Sequence, residues 1–139
     1  MQVIDFSIAK DASSADQLAE AAKAAVGKVD VLVTTADAKV AAYGEGMIKI
    51  AAENKIPTYA SLSQLVKKGA VLSLGFNFVE AVKTVNVPQA IKILNGENAG
   101  AIPVKTYPVY KLAINVNTAK AIGIDIPVQA LKTASEVIQ

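Results

Sequence analysis

The chain has 139 residues, 53% of them apolar and 19% charged, with 14 basic residues, all lysine, against 12 acids and a net charge of +2. This is the composition of one globular domain long enough to bury a core, and it excludes a disordered chain and argues against a nucleic-acid surface. The absence of Cys and His removes disulfides, thiol chemistry, the usual zinc ligands and the commonest general base. No apolar run reaches the roughly 20 residues that span a bilayer. No signal peptide is visible, because Met1 leads directly into a strand-like stretch.

In chain order, "VIDFSI" (3–8) is β-branched and aromatic and predicts a strand. "SSADQLAEAAKAAVG" predicts a helix with Ser13 or Ser14 as N-cap, Asp16 in the first turn and Gly27 just past the end. Leu18, Ala21, Ala22 and Ala25 share one face of it. "VDVLVTT" (29–35) predicts the second strand, and residues 38–53 a helix with Val40, Met47, Ile48, Ala51 and Ala52 as its core stripe. "IPTYA" is a short strand, "SLSQLVKKG" a short helix stopped by Gly69, and "AVLSLG" a fourth strand. Residues 78–94 predict a long helix kinked or split by Pro88 and ended by "NGENAG". "PVYKLAINV" predicts a strand, "NTAKAIG" a short helix, and "PVQALKTASEVI" a last helix opened by Pro127.

Strands alternating with helices predict a single α/β domain over 1–139, with a mainly parallel sheet covered by helices on both faces. "VDVLV", "PTYA" and "AVLSL" are expected as neighbouring central strands. Their apolar residues, Val29, Val31, Leu32 and Val33, then Val71, Leu72 and Leu74, are expected to be buried on both faces. No internal repeat, low-complexity run or linker interrupts the chain.

In an open parallel sheet, ligands bind beyond the carboxyl ends of the strands. Three strand-to-helix turns qualify, "TTADAK" (34–39), "YASLSQ" (59–64) and "LGFNFVE" (74–80). Each sets a short polar side chain, Asp37, Ser61 or Asn77, at a helix start, where free N–H groups favour acceptors and anions. The plain alternative is that all three are N-caps and nothing more. The phosphate loop is missing, "GEG" (44–46) lacks the third glycine of a dinucleotide loop and sits inside a helix, and Ser61 and Ser63 have no base to activate them. No enzyme machinery, cofactor motif or metal set is visible.

The stretches "VDVLVTTADAKVAAYGEGMIKIAAENKIPTYAS" and "KKGAVLSLGFNFVEAVKTVNVPQAIKILNGENAGAIPVKTYPVYKLAINVNTAKAIGIDIP" resemble ABC-transporter substrate-binding proteins of the type I periplasmic-binding class. The nearest branch takes tryptophan, tyrosine and related small solutes. Its pattern runs "VDAIYVPTDN", "KIPVFASD", "GALATLGIDYYELG", "AVKILKGE", "IPV" and "VINLKTAKKLGITIP", and the correspondence is nearly continuous from 29 to 136. The resemblance implies one lobe of a two-lobe clamp, the second lobe with its C-terminal tail, and a non-catalytic receptor without cofactor or metal. It implies an extracytoplasmic setting, periplasmic or as a membrane-anchored lipoprotein, with a permease as partner and an amino-acid-like solute as ligand.

Carried over by position, Asp37 matches the aspartate of "PTDN", Ser61 the serine of "ASD" and Asn77 the aspartate of "GIDYY". Their neighbours depart from the pattern, with Ala38 for an asparagine, Leu62 for an acid, and Phe78 and Val79 for an aromatic pair. The implied ligand wall, Asp37, Ala38, Ser61, Leu62, Asn77 and Phe78, is therefore less acidic than usual, and an ammonium is the natural partner for Asp37. A truncated or degenerate lobe serving only as a structural or interaction domain is the alternative. The family's opening strand has no counterpart here, so an unpaired strand edge is expected to drive homo-oligomerisation, unless "VIDFSI" or "PVYKLAINV" pairs with "VDVLV".

Overall fold

The computed structural model describes residues 2–4 and 15–139. The expected first strand and the serine caps of the first helix fall largely or wholly outside them. The chain divides into two compact units, Met1–Gly75 with Leu112–Gln139, and Phe76–Lys111.

In the first unit, helix α1 (Ala15–Ala25) leads to β1 (Leu32–Val33), α2 (Ala38–Glu53), β2 (Thr58–Ala60), α3 (Gln64–Lys67) and β3 (Leu72–Gly75). After the second unit the chain returns as β4 (Lys111–Asn115), α6 (Val116–Ala121), α7 (Val128–Thr133) and β5 (Glu136–Ile138). Among the described residues the sheet has the order β1-β2-β3-β4-β5, with β1–β2, β2–β3 and β4–β5 parallel. The three strands expected as neighbours are neighbours, in an α/β fold.

Helix α1 forms because its apolar residues recur at helical spacing. Leu18, Ala22 and Ala25 are buried, and Gly27 stops the chain in a left-handed conformation (φ 73°). Helix α2 turns Val40, Met47, Ile48 and Ala51 inward as the pattern requires. It also buries Gly44, where a Cβ would stand 3.4 Å from Val40 Cγ1 and 3.5 Å from Leu65 Cδ2. The first glycine of "GEG" thus serves helix packing. Leu18, Ala22, Val40, Met47 and Ile48, with Ala60, Leu65, Val66, Ala70 and Ala113, make the main core, and Leu32, Leu62 and Ile138 pack on it. A smaller cluster joins Val71, Ala119 and Ile122.

Four expectations need correction. Burial on both faces fails for part of the central strands. The side that carries Leu32, Thr58, Ala60 and Ser73 is covered, whereas Val33 is 64% and Leu74 48% exposed on the other, and Val31 is exposed as well. The strand pleat sends successive side chains to opposite sides, and among the described residues no helix shields these three. Second, the last helix ends at Thr133. Ala134 turns extended, Ser135 N–H donates to the Leu112 carbonyl at 2.7 Å, and "EVI" adds a strand parallel to β4. Third, the strand expected over 108–116 is confined to Lys111–Asn115, because the Asn115 side chain caps α6 through Thr118 N–H. Fourth, that strand lies between β3 and β5 and does not pair with β1.

The second unit begins just past β3 with α4 (Phe78–Ala81), continues through a π-helical segment (Val82–Asn86) into α5 (Val87–Leu94), and adds a 3-10 turn (Ala99–Ala101). The helix expected over 78–94, kinked or split at Pro88, is interrupted by the π-helical turn just ahead of that proline. Pro88 lies in the first turn of α5, where its missing N–H costs nothing, and the wider π turn takes up the irregularity ahead of it. Gly96, at φ 92°, ends α5, and the N–H of Glu97 donates back to Lys92.

Candidate functional site

Asp37 follows β1 by four residues and is exposed. Its backbone is extended (φ −104°, ψ 145°), and its Oδ1 accepts from Lys39 N–H at 2.7 Å while its carbonyl receives the Ala41 N–H. It is an N-cap, as its position in the sequence allowed. A carboxylate has two oxygens and about four acceptor positions, so this bond leaves room for a ligand donor. Ala38 is the exposed first residue of α2 and brings no polar group.

Ser61 follows β2 directly and is not a cap, since α3 starts after Ser63. Its hydroxyl donates to the Thr34 carbonyl, and its N–H faces the Thr34 hydroxyl at 3.4 Å. Thr34 N–H in turn donates to the Tyr59 carbonyl at 3.0 Å. These bonds stitch the turn that carries Asp37 to the turn that carries Ser61. The end of β3 comes equally close, for a Cβ on Gly75 would lie 2.9 Å from the Ser61 carbonyl oxygen. Only glycine fits there. Tyr59 adds a bond from its hydroxyl to the Leu74 carbonyl at 3.2 Å. Leu62 is half-buried and packs on the main core.

Asp37 and Ser61 thus belong to one bonded rim at the carboxyl ends of parallel strands, the position at which such sheets take ligands. Thr34 and Gly75 complete that rim. Their signal in the sequence was present but faint: a threonine ending an apolar run, and a glycine ending another.

Asn77 and Phe78 belong to the second unit. Asn77 caps α4, its Oδ1 accepting from Glu80 N–H at 3.1 Å. Phe78 is exposed and packs against Phe76 with ring centroids 4.5 Å apart, and Phe76 lies 6.3 Å from Tyr107. The Tyr107 hydroxyl donates to Glu80 Oε2 at 2.9 Å, and Lys111 Nζ lies 3.3 Å from the same oxygen. These donors, Tyr107 first and then the Lys111 ammonium, hold the Glu80 carboxyl below the usual carboxylate range. Desolvation, then the bond to Glu80, pushes the Tyr107 phenol upward. The contact of Phe76 with Tyr107 was not legible in the sequence, because numbers 76 and 107 stand 31 positions apart and no spacing rule links them.

Among the described residues no group of three His, Cys, Asp or Glu could hold a metal, and no helix is long and apolar enough to cross a membrane.

Three comparisons bear on this arrangement. The family model for ABC transporter substrate binding protein matches residues 3–138. The "Tyrosine-binding protein" of Clostridioides difficile (strain R20291) is 33% identical over 115 residues, 83% of this chain and 33% of its own length. Among solved structures, a conserved domain protein from Vibrio cholerae superposes with a TM-score of 0.78 at 31% identity, covering 89% of this chain and 42% of that one. A Streptococcus pneumonia ABC domain in complex with L-Trp gives 0.79 at 25% identity, covering 90% and 42%. The ligand-free, open structure of a substrate-binding protein with adhesive properties from Clostridium difficile gives 0.66 at 33% identity, covering 91% and 42%. The chain spans about a third of the length of the curated relative and about two-fifths of each of these structures. Members of this family bind substrates and do not transform them, and with its model matched across nearly the whole sequence, the chain belongs to the ABC transporter substrate-binding proteins.

Proposed function

We propose that this chain provides one wall of a solute-binding site in the receptor of an ABC importer, as second lobe and C-terminal tail of the two-lobe design, and holds a small amino-acid-like solute. The observation that carries the reading is the stitched rim at the carboxyl ends of β1, β2 and β3, with the Asp37 carboxylate at its edge. The relatives support the solute class, since one is named for tyrosine and another was solved with L-Trp. Asp37 pairs with the ammonium of the solute, and Ser61 fixes the rim. The reading carries its usual setting: an extracytoplasmic location, periplasmic or as a lipoprotein, and delivery to a permease. Self-association through the edge of β1, last in order among the described strands, and the exposed apolar residues beside it belongs to it as well.

Binding by this chain alone is expected to be weak, because a proper pocket buries roughly 70–90% of a small ligand and a single wall does not. The test is calorimetry with the common amino acids on the 139-residue chain and on Asp37→Asn. Asparagine caps about as well as aspartate, so stability is expected to hold while solute affinity falls about tenfold or more with the loss of a charge-assisted bond. Tight one-to-one binding by the wild-type chain, or an unchanged affinity in Asp37→Asn, would refute the assignment.

One observation favours the alternative, a structural or interaction domain that binds no solute. Leu62, which stands where the family has an acid, faces the main core. Complete absence of amino-acid binding at millimolar concentration would select that reading.

A further inference from the structure

One buried hydroxyl of the first unit lies just beneath the rim without a partner. Among the described residues the buried polar side chains are Thr34, Thr58, Ser73 and Asn115. The Thr34 hydroxyl faces the Ser61 N–H, and the Asn115 amide is bonded to α3 and α6. Ser73 Oγ alone is both sealed from water and without a hydrogen-bond partner among the described residues. A buried hydroxyl left unpaired costs free energy that an alanine at the same place would not. Ala60, its neighbour by register on β2 and equally buried, shows that a methyl suits this side of the sheet. Packing therefore gives no reason for a hydroxyl at position 73, and an unsatisfied buried group of this kind calls for a reason outside packing.

Its position supplies one. Ser73 and Gly75 stand two residues apart on β3 and so point to the same side of the sheet. Gly75 ends the strand at the rim, half-buried, and carries no side chain to roof Ser73 from above. A Cβ on Gly75 would lie 3.6 Å from Ser73 Oγ and 2.9 Å from the Ser61 carbonyl oxygen, so the two oxygens turn toward one place. We infer, on the amino-acid-binding reading proposed above, that Ser73 is a solute contact whose hydroxyl, together with the Ser61 carbonyl, takes an N–H donor of the solute. A carbonyl oxygen only accepts, and a hydroxyl oxygen accepts as well, so the pair suits an N–H and disfavours a carboxylate. In the free chain the hydroxyl is covered, and the Ser61 peptide shifts to admit the donor. A group left unpaired until the solute arrives lowers the stability of the free chain and returns that loss as affinity.

Such a residue has a signature that a structural serine lacks, because its removal stabilises the free chain and weakens binding at once. Ser73→Ala is the variant to use, since it deletes the hydroxyl and keeps the Cβ. The wild-type chain and Ser73→Ala are melted without ligand, then titrated with L-tryptophan and with L-tyrosine by NMR. Ser73→Ala is expected to raise Tm by about 3–5 °C and to weaken both amino acids about three- to tenfold. In the wild type the amide signals of Ser61, Ser73 and Gly75 should move together during either titration. A Ser73→Ala chain that melts no higher than the wild type would mean that the hydroxyl already has a partner, such as an internal water, in the free chain. Unchanged affinity in Ser73→Ala, or amide signals that stay in place while the solute binds, would mean that the solute never reaches it. Any of these results overturns the contact while leaving the amino-acid reading intact. If the wild type binds neither amino acid, both fall.

Discussion

Asn115 shows how much one side chain can hold. It is buried at the junction of β4 and α6. Its Nδ2 donates to the Val66 carbonyl at 3.0 Å, its Oδ1 accepts from Thr118 N–H at 2.9 Å, and its N–H donates to the Val71 carbonyl. The side chain thus caps one helix and ties it to α3. Truncation would leave the partly buried Thr118 N–H without its partner and the Val66 carbonyl holding the Gly69 N–H at 3.1 Å, and an orphaned donor costs about 1–3 kcal/mol. Asn115→Ala is expected to lower unfolding stability by about 1–3 kcal/mol in chemical denaturation, and no measurable loss would show that water replaces the lost bonds. From the sequence, Asn115 was only the tail of a strand. Its cap partner Thr118 lies three residues on, but its tie to α3 depends on Val66, 49 positions away, which no local pattern records. Asp37 and Asn77 were legible as caps because their partners lie two and three residues on. Ser61 was not, because its partner Thr34 lies 27 residues back.

At the scale of elements, helices were readable where a long apolar stripe recurred. The stripes of α1 and α2 match the buried residues, with Ala21 and Ala52 at their half-buried margins. Short elements were not. The strand β5 has three residues inside a window that also reads as helix, and only its pairing to β4 decides the matter. The end of α2 repeats the lesson. "ENKIP" offers no glycine stop, yet the helix closes with Ile56 N–H donating to Ala51 at 2.8 Å and Lys55 N–H to Ala52 at 3.0 Å. That geometry places Lys55 at φ 58°, a left-handed conformation that costs a residue with a Cβ about 1–2 kcal/mol. Lys55→Gly removes that strain but gives the unfolded chain more freedom, which offsets part of the gain. A net stabilisation of about 0.5–1 kcal/mol is expected from thermal unfolding. Destabilisation would mean that the lysine side chain contributes more than its backbone costs.

For the molecule as a whole, the open side of the central sheet is the feature that composition could not foretell. The apolar runs of β1 and β3 read as strands buried on both faces, and the pleat delivers only one buried side among the described residues. By register Val33 stands beside Tyr59, and Tyr59 beside Leu72, so Val33 and Leu74 border a continuous apolar strip, with β1 last in the order of described strands. Apolar area exposed in water and, among the described residues, a strand edge with no further neighbour both favour pairing with a second copy. A stable pairing needs roughly 1,000 Å² or more of buried surface in total. Light scattering is expected to report dimers at high micromolar concentration. Val33→Lys and Leu74→Lys together should return the chain to monomer, because each sets a charge on the strip. Both side chains are already exposed, Val33 at 64% and Leu74 at 48%, so stability should move by no more than about 0.5 kcal/mol per substitution, and lost association could not be blamed on unfolding. A wild-type chain that stays monomeric up to crystallisation concentrations would show that the strip is too small to hold a partner.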